Sequence, residues 1–235
     1  MIFISQICKR EISKGSDKNE RTDCMKIAIV TESSSAAKNS MVEAALKKTG
    51  HEIINLGMYG VDGEPAVSYI DTGFMGALLL NTGCVDFVVG GCGTGQGFVN
   101  AIVQYPGVVC GLISEPLDAW LYGQINGGNS ISLALNKGFG WAGDVNLEFV
   151  FEKLFSVEFG TGYPVHRKEV QAGARKQLAA VSELTHLSFA EILGRMDKDY
   201  LKKILSYPGL KEVIEKNADG TLASTKALLT LITAL

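Results

Sequence analysis

The chain has 235 residues, 46% hydrophobic and 20% charged, with a formal net charge of −3, which suits one medium globular domain with an extension. That mild acidity excludes the basic field that nucleic acid or an anionic membrane surface requires, so a bound anion must be met by a local set of donors. No apolar run nears the ~18 residues that span a bilayer, and five Cys and three His, widely spaced, form neither a disulfide framework nor a zinc set; no metal and no cofactor are expected, and a reducing cytoplasm is the expected location.

Residues 1–24 read as a polar leader, with the folded part starting at Met25. Lys26–Thr31 is a short apolar run, the mark of a buried parallel strand. Ser34–Lys48 has helical spacing and ends before Gly50, a residue suited to the position after a helix. Glu52–Leu56 is the second strand, Val67–Asn81 a helix and Asp86–Gly90 the third strand. A glycine-rich run follows, then a helix over Phe98–Gln104 and a fourth strand over Val108–Ile113. Pro116 suits the first turn of a helix reaching Tyr122. Ser130–Leu135 is the fifth strand, and Asp144–Phe155 a helix with Leu147, Val150, Phe151 and Leu154 inward. Beyond about residue 165 the strand signals stop. Ser188 and Glu191 form a capping box, and further helices fall near Asp197–Ser206 and Ser224–Thr233.

Strands alternating with helices predict an α/β fold, a three-layer, Rossmann-like doubly wound parallel sheet of about five strands. The α/β domain is expected over residues 25–165 and an all-helical C-terminal extension over 166–235.

The most informative segment is Gly91-Cys92-Gly93-Thr94-Gly95-Gln96-Gly97. It lies at the carboxyl end of a buried strand, where open α/β sheets bind ligands. Glycines let successive N–H groups converge into an anion-binding nest, and the helix that follows adds roughly half a positive charge. A Cys there is favoured as the thiolate, a base, and the same donors suit a developing oxyanion. Two plainer readings stand beside this one. A glycine-rich turn after a strand also serves dinucleotides, although G-x-G-x-G after a third strand is the wrong spacing and place. A Cys in such a turn also serves as a small packing residue.

Met25–Val30 followed by Thr31, Glu32 and Ser33, then His51 to Gly57, resembles the opening of the type B ribose-5-phosphate isomerases, which are grouped with the galactose-6-phosphate isomerases. The family's C-G-T-G-x-G signature stands at Cys92–Gly97, its P-G at Pro106-Gly107, and its S-D/E-P at Ser114-Glu115-Pro116. Asn126 and Asn129 match the asparagines of its H-N-D-A-N stretch. The resemblance covers about residues 25–160. It implies an aldose–ketose isomerase acting on a phosphorylated sugar through a cis-enediolate, with Cys92 as the base and Thr94 orienting the donors of Gly93, Gly95, Gln96 and Gly97. Glu32 takes the place of the family's hydroxyl-binding Asp. A homodimer with active sites near the subunit interface is implied as well, with no nucleic-acid or membrane partner.

Four positions depart from the pattern. Ser33 stands where the family has His, and is counted with the substrate-binding residues. Ile125 replaces the His linked to ring opening and cannot transfer a proton. Val103-Gln104 replaces the family's N-K pair. In members that use a Glu base, that Glu follows the signature; here the position is Phe98. The Arg-rich phosphate contacts have no clean match, and Arg167 and Lys168 are the candidates for that role. The competing reading is a non-catalytic sugar-phosphate binding protein that kept the nest and lost the acid. Cys84 and Cys110 read as buried core residues, Trp120 and Trp141 as core packing that leaves a sugar-lining role open, His51 as exposed, and His186 as a surface or packing residue.

Overall fold

The computed structural model describes residues 24–234; the leader, apart from Cys24, lies outside them. Five strands, β1 (Lys26–Thr31), β2 (Glu52–Asn55), β3 (Phe87–Cys92), β4 (Cys110–Ile113) and β5 (Ser130–Ala134), form one parallel sheet in the order β2-β1-β3-β5-β4. Helices α1 (Asn39–Lys47), α2 (Tyr69–Asn81), α3 (Gln96–Ile102) and α4 (Pro116–Leu121) connect them, and α5 (Gly143–Phe155) follows β5. The expected α/β fold is therefore present.

The period-two side-chain alternation of β1 divides the core. Ile27 and Ile29 face a cluster with Val89, Ile131, Leu147 and Phe151, under α1 and α5. Ala28 and Val30 face the other side, with Phe74, Leu78, Val88 and Phe98, under α2 and α3. Residue Phe87 is matched to Ile27 and Gly91 to Thr31 across β1 and β3. The chain runs outward from β1 to β2 and then returns to β3 on the other side of β1. The crevice between the carboxyl ends of β1 and β3 is thus the topological switch point, the place where such sheets bind ligands.

The C-terminal region is all helical: α6 (Lys168–Thr185), α7 (Phe189–Arg195), α8 (Lys198–Leu205), α9 (Leu210–Asn217) and α10 (Ala223–Ala234). Phe189, Leu193, Leu201, Ile204, Leu210 and Leu228 join the same apolar cluster as α2. Polar ties seal that contact: Lys203 Nζ meets Asp71 Oδ2 at 2.9 Å, and Thr225 Oγ1 donates to the carbonyl of Thr82 at 3.2 Å. Helix α6 differs in having no buried residue.

Several expectations are corrected. The helix expected from Ser34 begins as a 3-10 turn over Ser33–Lys38 and becomes α-helical at Asn39. Strand β3 runs two residues further than expected, so Cys92 is its last residue. The helix after Pro116 ends at Leu121 and continues as a π-turn over Tyr122–Asn126. Trp141 is fully exposed on the loop after β5, not packed in the core. Trp120 is half-buried, edge-on to Tyr163 at 4.9 Å. His51 is half-buried: its Nδ1 accepts from the Met25 N–H at 3.3 Å and its ring meets Phe155 edge-on. Desolvation there holds its pKa below the usual value. Cys84 is buried as expected, whereas Cys110, on the edge strand β4, is only partly so. Its thiol points inward all the same, and burial pushes it up to about 12.

Candidate active site

The carboxyl end of β3 delivers Cys92, 6% exposed, to the switch-point crevice. The chain then turns sharply through Gly95, whose φ of +74° is a conformation glycine adopts without strain. A Cβ at Gly95 would also press on Leu112 and on the backbone of Leu133 and Ala134. The turn is fixed from below. Ser132 Oγ donates to the Gly95 carbonyl at 2.7 Å, and the N–H groups of Leu135 and Asn136 donate to the carbonyls of Cys92 and Gly93 at 3.1 and 3.0 Å. Thr94 Oγ1 lies 3.9 Å from Cys92 Sγ and 3.4 Å from the Gln96 amide nitrogen. Among the described residues, the N–H groups of Thr94 and Gly97 have no hydrogen-bond partner, so they are free to meet a ligand oxygen.

Glu32, at the carboxyl end of β1, is buried and caps the 3-10 turn: Ser34 N–H donates to Glu32 Oε2 at 2.9 Å, and Ser34 Oγ donates to Oε1. The same Ser34 hydroxyl accepts the Gly93 N–H at 2.9 Å. A continuous polar chain therefore links Glu32 through Ser34 to the turn that carries Cys92. Asn136 Nδ2 completes it by donating to the Ser34 carbonyl at 2.6 Å. Ser34 and Asn136 were missed in the sequence. The position two residues after an acidic cap is a usable signal for Ser34; Asn136 joins only through the fold. Tyr69 was missed as well. Its half-exposed ring stands over Gly97, where a Cβ would come within 2.9 Å of the ring.

Of the expected residues, Cys92, Gly93, Thr94, Gly95, Gln96, Gly97 and Glu32 come together here. Ser33 lies beside them, but its hydroxyl donates to the Val67 carbonyl at 2.8 Å, which holds the loop after β2. Asn126, Arg167 and Lys168 are elsewhere. Asn126 ends the π-turn just before β5 starts, at the amino end of the sheet. Arg167 and Lys168 open α6, which is pinned to that same turn by Arg175, whose guanidinium donates to the carbonyls of Ile125 and Gly160 at 2.8 and 2.6 Å. Within one chain these three are not gathered around Cys92.

Two solved structures resemble the chain over most of its length. A 4-deoxy-L-threo-5-hexosulose-uronate ketol-isomerase, complexed with a tartrate, superimposes with a TM-score of 0.85 and 38% identity, covering 89% of this chain and 100% of its own. A ribose-5-phosphate isomerase from Vibrio parahaemolyticus gives 0.83 and 38%, covering 91% and 100%. The type B ribose 5-phosphate isomerase of Leishmania infantum, at 15% identity, a TM-score of 0.59 and coverage of 69% and 99%, shares the fold. No curated protein matches the chain. Residues 27–160 match the ribose/galactose isomerase family, the stretch that holds the sheet, Glu32 and the Cys92 turn. On that match and those two structures, the chain belongs to the ribose/galactose isomerase family.

Proposed function

We propose that this sugar isomerase interconverts an aldose and a ketose through a cis-enediolate, with Cys92 as the base. The observation that carries the reading is the seat of Cys92: a nearly buried thiol at the switch point, on a glycine turn whose Thr94 and Gly97 N–H groups are unpaired among the described residues. In this reading the thiolate takes the C2 proton of the open-chain aldose. The electron pair moves into a C1–C2 double bond, and negative charge develops on O1, which the free N–H groups receive. The O2 proton then passes to O1, which moves the charge to O2, and return of the carbon-bound proton to C1 as the C2–O2 carbonyl forms yields the ketose and restores the thiolate. Glu32 is proposed to accept hydrogen bonds from sugar hydroxyls, with Ser33, Gly93, Gly95 and Gln96 lining the same crevice. Phe98 is fully buried and takes no part in proton transfer.

The substrate class proposed first is a phosphorylated sugar such as ribose 5-phosphate. A second reading is favoured by a specific residue. Ile125 carries no proton where the resemblance calls for a ring-opening His, which suits a sugar that stays open. A 4-deoxy-5-hexosulose uronate, the substrate named for one 38% identical structure, has by its name no hydroxyl at C4 or C5 with which to close a ring. Asn126, Arg167 and Lys168 are proposed to act across a homodimer, each copy offering them to the partner's Cys92. Support comes from α6: its exposed Val170, Leu178, Val181 and Leu184 share one side of the helix, as a surface covered by a second copy would.

Incubation of the full chain in heavy water with ribose 5-phosphate, a tetrose phosphate and the deoxy-hexosulose uronate, read by NMR, tests the reading. Deuterium at C1 or C2 of at least one sugar is expected. Binding without deuterium uptake would leave the non-catalytic alternative standing.

A further inference from the structure

The C-terminal helices are fastened to the first turn of α2 through one carboxylate. Asp71, the third residue of α2, is 3% exposed. Its Oδ2 accepts from three donors: the Ser68 N–H at 2.8 Å, the Ser68 hydroxyl at 2.8 Å and Lys203 Nζ of α8 at 2.9 Å. The Asp71 N–H in turn donates to Ser68 Oγ at 3.3 Å, so the helix cap is complete without Lys203. The lysine couples that cap to the extension. One turn further along α2, the Phe74 ring stacks on Phe189 of α7 at 6.2 Å and meets Tyr200 of α8 at 5.7 Å.

The same turn of α2 borders the Cys92 site. Tyr69, its first residue, lays its ring against Gly97, with ring carbons 2.9 to 3.1 Å from where a Cβ would stand. One turn on, Gly73 lies so close to α3 that a Cβ would come 2.6 Å from Ala101 Cβ. Val67, just before the cap, gives its carbonyl to the Ser33 N–H and hydroxyl at 3.1 and 2.8 Å. At Gly97 and Gly73 no glycine side chain stands between α2 and α3 to absorb a shift, so a displacement of the first turn of α2 passes directly to Gly97. We propose that Lys203 is a positioning residue of the isomerase site: by holding Asp71 it fixes the first turn of α2, and with it the Tyr69 ring against Gly97, whose N–H is unpaired among the described residues. The ring keeps water from that donor and so strengthens it toward charge developing on O1. The effect on turnover rests on the isomerase reading; the placement of the Gly97 segment by Lys203 does not.

Steady-state kinetics on the preferred sugar and amide hydrogen exchange read by mass spectrometry, both on the full chain, test the proposal. Charge on O1 develops in the transition state, so Lys203→Met is expected to lower kcat at least fivefold with KM within twofold of wild type. Half of the Lys203 side chain is exposed, which suits the exchange, and the milder Lys203→Gln is expected to act in the same direction. In a Tyr69→Ala background, Lys203→Met is expected to cost no further kcat. Thr225→Val removes another tie between the extension and the sheet domain and serves as the control: a lower melting temperature is expected, with kcat within twofold of wild type. Without sugar, the amides of residues 93–102 are expected to exchange at least threefold faster in Lys203→Met and at the wild-type rate in Thr225→Val. A kcat within twofold of wild type in both Lys203 variants, an equal loss in Thr225→Val, a full further loss in the Tyr69→Ala background, or unchanged exchange over 93–102 overturns the proposal. A wild type that turns over no sugar sinks the isomerase reading alone, and exchange over 93–102 then decides the proposal by itself.

Discussion

At the scale of single residues, the proposed site is built on Cys92 and on the serine that braces its turn. Ser34 accepts the Gly93 N–H and donates to Glu32, so its hydroxyl fixes both the turn and the carboxylate. Ser34→Ala leaves the Gly93 N–H without its partner and frees Glu32 to rotate. Turnover is expected to fall roughly tenfold or more, the size of one lost hydrogen bond to a charged group, with the melting temperature within a few degrees of wild type; full activity in steady-state kinetics would remove Ser34 from the account. Ile125 belongs at this scale too. Its carbonyl is held by Arg175, so a side-chain exchange leaves the backbone tie in place. Ile125→His is expected to raise the rate on ribose 5-phosphate and leave the rate on an open-chain sugar unimproved, as measured by kcat/KM on both.

At the scale of elements, the third strand and the helix after it are matched by one contact. Gly90 lies under the Phe98 ring, and a Cβ there would fall inside it. Gly90→Ala is expected to cost about 3 kcal/mol or more by overpacking, and Gly90→Ala with Phe98→Leu to recover part of that in urea unfolding. The start of α2 is held by Ser68 and by Lys203 of the extension, which both bond Asp71. Burial opposes the Asp71 carboxylate, but the Ser68 bonds and Lys203 outweigh it and hold the carboxyl below its usual value. A depressed folded value means that the stabilisation is present above the unfolded ~3.9 and is lost as pH falls through the folded value. Lys203→Met, half-exposed, should therefore cost about 1 kcal/mol at pH 7, a difference that narrows in acid; an equal cost at all pH values would contradict the ion pair.

The five strands and the Cys92 turn were legible because buried parallel strands are short apolar runs and a glycine run at the end of one marks a sharp turn into a helix. The 3-10 start at Ser33–Lys38 was not, because Glu32 caps it by a side-chain bond that helical spacing does not reveal. Trp141 was misjudged because its composition suggests packing, while its loop leaves the sheet. Asn136 escaped notice because only parallel pairing of β5 with β3 brings it to Ser34.

At the scale of the whole molecule, the helical extension packs on the sheet domain through α2. Both structures at 38% identity cover about nine-tenths of this chain, which takes in the helical region, so the extension is a shared part of this isomerase form. If each site draws Asn126 and Arg167 from a partner, an inactive Cys92→Ala chain and an inactive Asn126→Ala/Arg167→Ala chain should rescue one another. Mixed and allowed to exchange, they are expected to regain about a quarter of wild-type activity, since half of the dimers then hold one intact site of two; no recovery would place the whole site in one chain.

The central claim is that Cys92 moves the proton. Its most direct test is solvent deuterium exchange into the preferred sugar by wild type and by Cys92→Ser, which changes the base and little of the shape. Deuterium at C1 or C2 is expected with wild type, and at least a hundredfold slower exchange, at an unchanged melting temperature, with Cys92→Ser. Exchange within tenfold of wild type in a folded Cys92→Ser chain would show that another group carries the proton.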